Sequence, residues 1–292
     1  MENVYSFIEA NSGATARKEP QKQFDKEAWK ERKQQERDAA YALGDETAIR
    51  VNEDPEALHG YLGVMARFPE RSALNNLLIF AQRPNASRIG DREHWHREHA
   101  RVKGSGFVLI EQGNAYERED GTLGSYFNAA RVYDESETTA RKILPRRYKE
   151  ENVVFALVKT AKPRIVVADD LQGELAVYDR VGDTLQLQKG LDQSQLFWAL
   201  ASELAQAEFA RRDEGWSREA CFGRAELAAT ALAKRYGIDA PPGDAPAPAP
   251  RGADAKEVRA ALSDVQGAVK AISRQAALEL DKPKEREQAR GR

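Results

Sequence analysis

Apolar positions fall at helical spacing in several separate stretches of the chain. Leu58, Leu62, Met65 and Phe68 mark one face behind Asp54-Pro55, an N-cap residue followed by proline at the first helical position. Ser72 opens a second helix carrying Leu74, Leu77, Leu78 and Ala81, and Pro84 stops it, so the two predict an αα-hairpin. Gly104-Ser105-Gly106 breaks into an apolar run at 107–110, read as a strand. From 111 to 138, turn signals at Gly113-Asn114 and Asp120-Gly121 alternate with β-like pieces around Tyr126-Phe127 and 131–133. Strands are also predicted at 164–168, 175–178 and 184–187. An amphipathic helix then presents Leu196, Phe197, Leu200, Leu204 and Ala207. Ser217 starts another with Phe222, Ala225, Ala229, Leu232 and Tyr236, closed by Lys234-Arg235 and Gly237. A last helix begins at Asp254 with Glu257 as a capping-box pair and carries Val258, Leu262, Val265, Val269 and Ile272. It docks on the body or pairs with a partner helix.

The polar stretches set the boundaries. Residues 17–38 hold eight basic and six acidic side chains, with Phe24 and Trp29 as the large apolar ones, which predicts a solvated helix. The segments are then 1–53 as a charged helical arm, 54–139 as an α+β unit and 140–163 as a basic connector. They continue with 164–239 as a second domain, 240–253 as a proline-rich linker, 254–280 as the C-terminal helix and 281–292 as a disordered tail. The fold class is α+β.

Charge alters this picture only when read by segment. The 292 residues carry 45 basic and 47 acidic side chains, a net −2. That balance excludes a histone-like cation and a polyanion imitating DNA along its whole length. Locally it resolves into +3 across 83–103, +5 across 141–149 and −5 across 164–226. One cysteine, Cys221, excludes a disulfide scaffold and a zinc site of several thiolates. No apolar run is long enough to span a bilayer, and MENVYSFIEANSG lacks the features of a secretory signal, so the chain reads as cytoplasmic with no membrane partner.

The run from Arg67 to Gly90 contains Ser72-x-x-Asn75-x-Leu-Leu-Ile and Gln82-x-Pro84-x-Ala. Trp95 and then Lys103-Gly104-Ser-Gly106 leading into a strand follow it. In that order these motifs resemble the N-terminal domain of ArdC-type antirestriction proteins, and the match is closest to related (LtrC-like) proteins of integrative conjugative elements. Residues 131–138 are similar to that domain's closing strand, and the resemblance covers about residues 1–280. It implies a domain that binds single-stranded DNA and protects transferred DNA from host restriction. The residues give independent physics for this. Arg83, Arg88, Arg92, Arg97, Arg101 and Lys103 face three acids, and phosphate contacts require Arg and Lys. The contact set is therefore Arg88, Arg92, Arg101 and Lys103 for phosphates, Trp95 for base stacking, and Ser72, Asn75 and Gln82 for positioning the strand. The competing reading makes Trp95 core, Asn75 a cap and the arginines solvated surface. His94, His96 and His99 lie in the same stretch. His96 and His99 with Glu98 have spacing for a metal, against surface histidines that add charge to the basic patch.

The second domain resembles the family's zincin-like metallopeptidase part, in which a helix carries HExxH and the next supplies a third ligand. Here the matching helix has Ser202 and Gln206 at the histidine positions and keeps Glu203, with Glu219 or Glu226 at the third position. A serine and an amide do not replace two imidazoles, and no histidine follows His99, so the resemblance implies a pseudoenzyme with no metal or other cofactor. The function expected is non-catalytic shielding of single-stranded DNA from nucleases. The alternative, from a different class, is an inhibitor that binds a host restriction or CRISPR effector protein through the acidic second domain or the C-terminal helix.

Overall fold

The computed structural model describes residues 26–113, 116–118, 120–239 and 245–282. Phe24, the start of the charged arm, part of the proline-rich linker and nearly all of the tail lie outside them.

α1 (Lys26–Glu53) extends further than the charge pattern alone predicts. Its first half is solvated, but Ala40, Thr47, Ala48, Val51 and Asn52 bury one face of the second half. α2 (Pro55–Arg67) begins at Asp54, whose carboxylate accepts from Glu56 N. α3 (Ala73–Gln82) begins at Ser72. The first sheet has the order β1-β5-β2, all antiparallel, with β1 at Ile89–Gly90, β2 at Phe107–Gln112 and β5 at Phe127–Asp134. A small hairpin, β3 (Tyr116–Glu117) and β4 (Leu123–Gly124), projects between β2 and β5. α1 covers the sheet and α3 lies along β2. The stretch around Trp95 forms a short helix, α4 (Arg92–Arg97), capped by Asp91.

Residues 141–149 carry no regular structure, but the connector does not continue to 163. α5 (Glu150–Thr160) interrupts it, because Val153, Val154, Ala156 and Leu157 recur at helical spacing and are buried. The second sheet has the order β6-β8-β7, with β6 (Arg164–Ala168) parallel to β8 (Thr184–Gln188) and β7 (Ala176–Asp179) antiparallel to it. α6 (Gln193–Ala210) packs on β7 and β8. α7 (Arg218–Tyr236) is capped by Ser217 and ends at Gly237 in the left-handed region (φ 71°), a conformation that glycine adopts without a Cβ penalty.

α8 (Ala255–Leu280), capped by Asp254, docks on the body. Val258, Leu262, Val265, Val269 and Ile272 are all buried, and the helix touches α1, α3, α5, α6 and α7. One continuous core therefore joins Ala48, Leu58, Tyr61 and Leu77 to Phe197, Leu200, Ala228 and Val265. The boundaries read at 139 and 164 separate two sheets, but the helices behind those sheets share a core. A buried polar staple crosses it: Asn76 Nδ2 donates to Gln266 Oε1 at 2.6 Å, and Gln266 Nε2 donates to Pro69 O.

Candidate nucleic-acid surface and the altered helix pair

α3 runs beside β2 and satisfies its free edge with side chains. Asn75 Nδ2 donates to Ile110 O at 2.8 Å, while Ile110 N donates to Asn75 Oδ1 at 2.9 Å. Two helical turns later, Gln82 Nε2 donates to Val108 O at 2.9 Å and Val108 N donates to Gln82 Oε1 at 3.0 Å. Each carboxamide acts as one residue of a missing strand, so the two seal an edge that would otherwise offer unpaired peptide groups. Ser72 caps α3 by accepting from Asn75 N at 3.2 Å. Ser72, Asn75 and Gln82, expected to position a DNA strand, are all used inside the fold.

Trp95 belongs to the core. Its side chain has 0% exposure, and its indole N–H donates to both Gly90 O and Tyr133 O at 3.1 Å. A base has no access to that ring, so the reading of Trp95 as core holds and the stacking role falls. Arg88 lies over the indole at 4.9 Å and is within 3.5 Å of Glu98 and Glu135, so its charge is spent inside the protein. Arg92 is exposed and lies over the Tyr133 ring at 5.0 Å. His94 packs edge-on against Trp95, whereas His96, Glu98 and His99 are exposed. Among the described residues, no three His, Cys, Asp or Glu side chains are grouped to hold a metal.

Arg101 and Lys103 remain. Both are exposed, and neither forms an ion pair among the described residues. A bridge between Val102 and Thr138, with Thr139 N donating to Arg101 O at 2.9 Å, lays the start of the basic strap alongside them. Arg141, Lys142 and Arg147 on that strap are exposed and also lack carboxylate partners among the described residues. Arg146 is the exception, paired with Asp281 at 2.6 Å. Ile143 and Leu144, 60% and 76% exposed, sit among these charges. The strap is the surface that sequence reading treated only as a connector, although its charge run was visible there. On the first sheet, Phe127 is half exposed and shares a face of β5 with Arg131, whose guanidinium donates to Ser105 O at 2.8 Å.

In the second half, α6 and α7 bring the altered motif together. Glu203 is buried, with Arg218 at 2.7 Å from one carboxylate oxygen and Tyr178 N donating to the other at 2.8 Å. Burial pushes its carboxyl above the ordinary glutamate range, opposed by the bonds from Arg218 and Tyr178. Gln206 uses both ends of its amide: Nε2 donates to Arg218 O at 3.1 Å and Oε1 accepts from Trp216 Nε1 at 3.0 Å. Ser202 and Glu226 are half-buried, and burial raises the Glu226 carboxyl. Glu219 is exposed on the first turn of α7.

No family model matches the chain, and no curated protein matches it. Among solved structures, the antirestriction ArdC protein from the R388 plasmid is similar in its metal-free form, with a TM-score of 0.49 and 14% identity over 81% of this chain and 98% of that one. Its Mn(II)-bound form gives a TM-score of 0.46 and 14% identity over 71% and 85%. In this chain the residues at 202, 203 and 206 do not fit a divalent cation. The amide and the carboxylate are both committed to other partners, and the Arg218 guanidinium fills the position beside Glu203.

Proposed function

We propose that this protein counters host restriction by binding single-stranded DNA along the strap and shielding it, without catalysis. The observation that carries the reading is the set of exposed cations on the strap and the strand before it: Arg101 and Lys103 flank Val102 at its bridge to Thr138, Arg141 and Lys142 follow three and four residues after that bridge, and all four lack carboxylate partners among the described residues. Residues 138–149 hold five basic side chains and no acid, so a polyanion meets no local repulsion there. Phe127, on the same face of β5 as Arg131, is the aromatic available for a base in place of Trp95. Arg88, Ser72, Asn75 and Gln82 contribute by holding the domain together. The second half is a scaffold in this reading: its would-be general base is neutralised by Arg218, and its net −5 keeps the strand on the first half.

Fluorescence anisotropy with a labelled oligothymidylate at several salt concentrations tests this. Replacing Arg101, Lys103, Arg141 and Lys142 with Gln removes about four phosphate contacts, so the slope of log K against log salt should become shallower by about 3. An unchanged slope, or no binding by the wild type at micromolar protein, refutes the proposal.

A further inference from the structure

A second group of cations lies on another element pair, α2 and α7, outside the strap. His59 and Arg67 stand two turns apart on one face of α2 with Gly63 between them, so no side chain separates the two. A Cβ at Gly63 would find only Arg67 Nη1 near it, at 3.8 Å, so the space over the glycine is open. From α7, Lys234 Nζ reaches His59 Nε2 at 2.6 Å. Arg67 is held from behind, its guanidinium donating to Ala86 O at 2.8 Å and to Pro84 O. Arg235 flanks the group and donates to Ala66 O at 2.9 Å. None of these four side chains forms an ion pair with a carboxylate among the described residues.

Such a concentration is costly without a counter-charge. Burial lowers both the His59 and the Lys234 pKa; Lys234 lowers that of His59 further, and Arg67 that of Lys234. Asp134 acts on Arg67 through its charge and raises the Arg67 pKa, but it is not in ion-pair contact with Arg67, His59 or Lys234, and its carboxylate oxygens are bonded to Ser87 N and Ser136 N.

We propose that His59, Arg67 and Lys234, gathered around Gly63, bind a tetrahedral oxyanion of the phosphate class. A doubly charged oxyanion over Gly63 supplies the missing counter-charge, taking a fork from Arg67 and single donors from Lys234 and a protonated His59. The phosphate belongs either to a free small anion or to a nucleic-acid backbone, and the site stands independently of the strap.

Proton NMR of the four imidazoles in the full chain tests it, with His59 assigned from His59→Gln. Sulfate is the first probe, because its charge does not change between pH 5 and 8, and sodium chloride of equal ionic strength is the control. Saturating sulfate should raise the His59 pKa by about one unit, a tenfold preference for the protonated form, and leave the other three nearly unmoved. Lys234→Met, with its fold checked by circular dichroism, should raise the His59 pKa without anion and abolish most of the sulfate response. A sulfate shift no larger than that with chloride, or a full response in Lys234→Met, overturns the proposal. Once sulfate binding is established, an oligothymidylate that moves His59 assigns the phosphate to DNA, and inorganic phosphate acting alone assigns it to a small anion. DNA binding with His59 insensitive to sulfate overturns this site while leaving the strap reading intact.

Discussion

Replacing Asn75 with Ala separates a residue that holds the fold from one that holds DNA. Asn75 is buried, and its amide makes two hydrogen bonds to the peptide groups of Ile110 on the edge of β2. Alanine removes both bonds and leaves a buried N–H and a buried C=O without partners. At about 1–2 kcal/mol for each orphaned group, the cost is about 2–4 kcal/mol. Gln82 makes the equivalent pair with Val108 but is half-buried, so water rescues part of the loss and Gln82→Ala should cost about 1–2 kcal/mol. Urea denaturation followed by circular dichroism measures both. With a slope near 3 kcal/mol per molar, Asn75→Ala should move the midpoint down by about 1 M. Below its midpoint the variant should bind oligothymidylate as the wild type does. Wild-type stability combined with lost DNA affinity would sink the argument, because Asn75 would then be a DNA contact and not the seal of a strand edge.

Trp95→Phe should cost about 1–2 kcal/mol, since Gly90 O and Tyr133 O lose the indole donor, and thermal melting should register it while DNA affinity stays unchanged. Arg218→Ala strands Glu203 and should cost about 3–5 kcal/mol near neutral pH. Because burial raises the folded pKa of Glu203, its carboxyl favours folding below its unfolded pKa and opposes it as pH rises; the variant's deficit should therefore be larger at pH 8 than at pH 5, and a pH-independent deficit in melting temperature would contradict this. Burial pushes the Asp134 pKa up, but hydrogen bonds from Ser136, Ser87 and Arg88 outweigh it and hold the carboxyl below the usual range. Its contribution is present above about pH 4 and lost as pH falls through the depressed value, so acid unfolding between about pH 4 and 2 should be shallower in Asp134→Asn than in the wild type.

Which features could be read from the chain follows from how local their causes are. Asp54, Ser72, Ser217 and Asp254 were legible as caps because a cap is decided within four residues. The strands at 164–168 and 184–187 were legible from their apolar runs and flanking turns. α5 is less legible because its apolar positions are few and follow directly on a basic run, although Val153, Val154 and Leu157 carry the helical period. α4 was hidden because six residues with one buried tryptophan have no period to detect. The polar residues of α3 show why site reading failed where fold reading succeeded. Asn75 and Gln82 are spaced for one helical face, which suits a ligand and a neighbouring strand equally well. Only the placement of β2 beside α3 decides between them, and nothing within ten residues of either position encodes it. The motif at 202–206 was the reverse case: the missing imidazoles were plain in the sequence, whereas the guanidinium of Arg218 beside Glu203 required the packing of α7 on α6.

The placement of α8 also governs how the chain is made. Leu58, Tyr61 and Leu62 on α2 belong to the same core as Val265 and Val269, which are synthesised some two hundred residues later. At about 5–20 residues per second, translation leaves the αα-hairpin without its final cover for about 10–40 s. The core cannot close until α8 emerges, after every helix on which it packs. Until then the hairpin carries an open apolar face, left uncovered by the order in which the helices leave the ribosome.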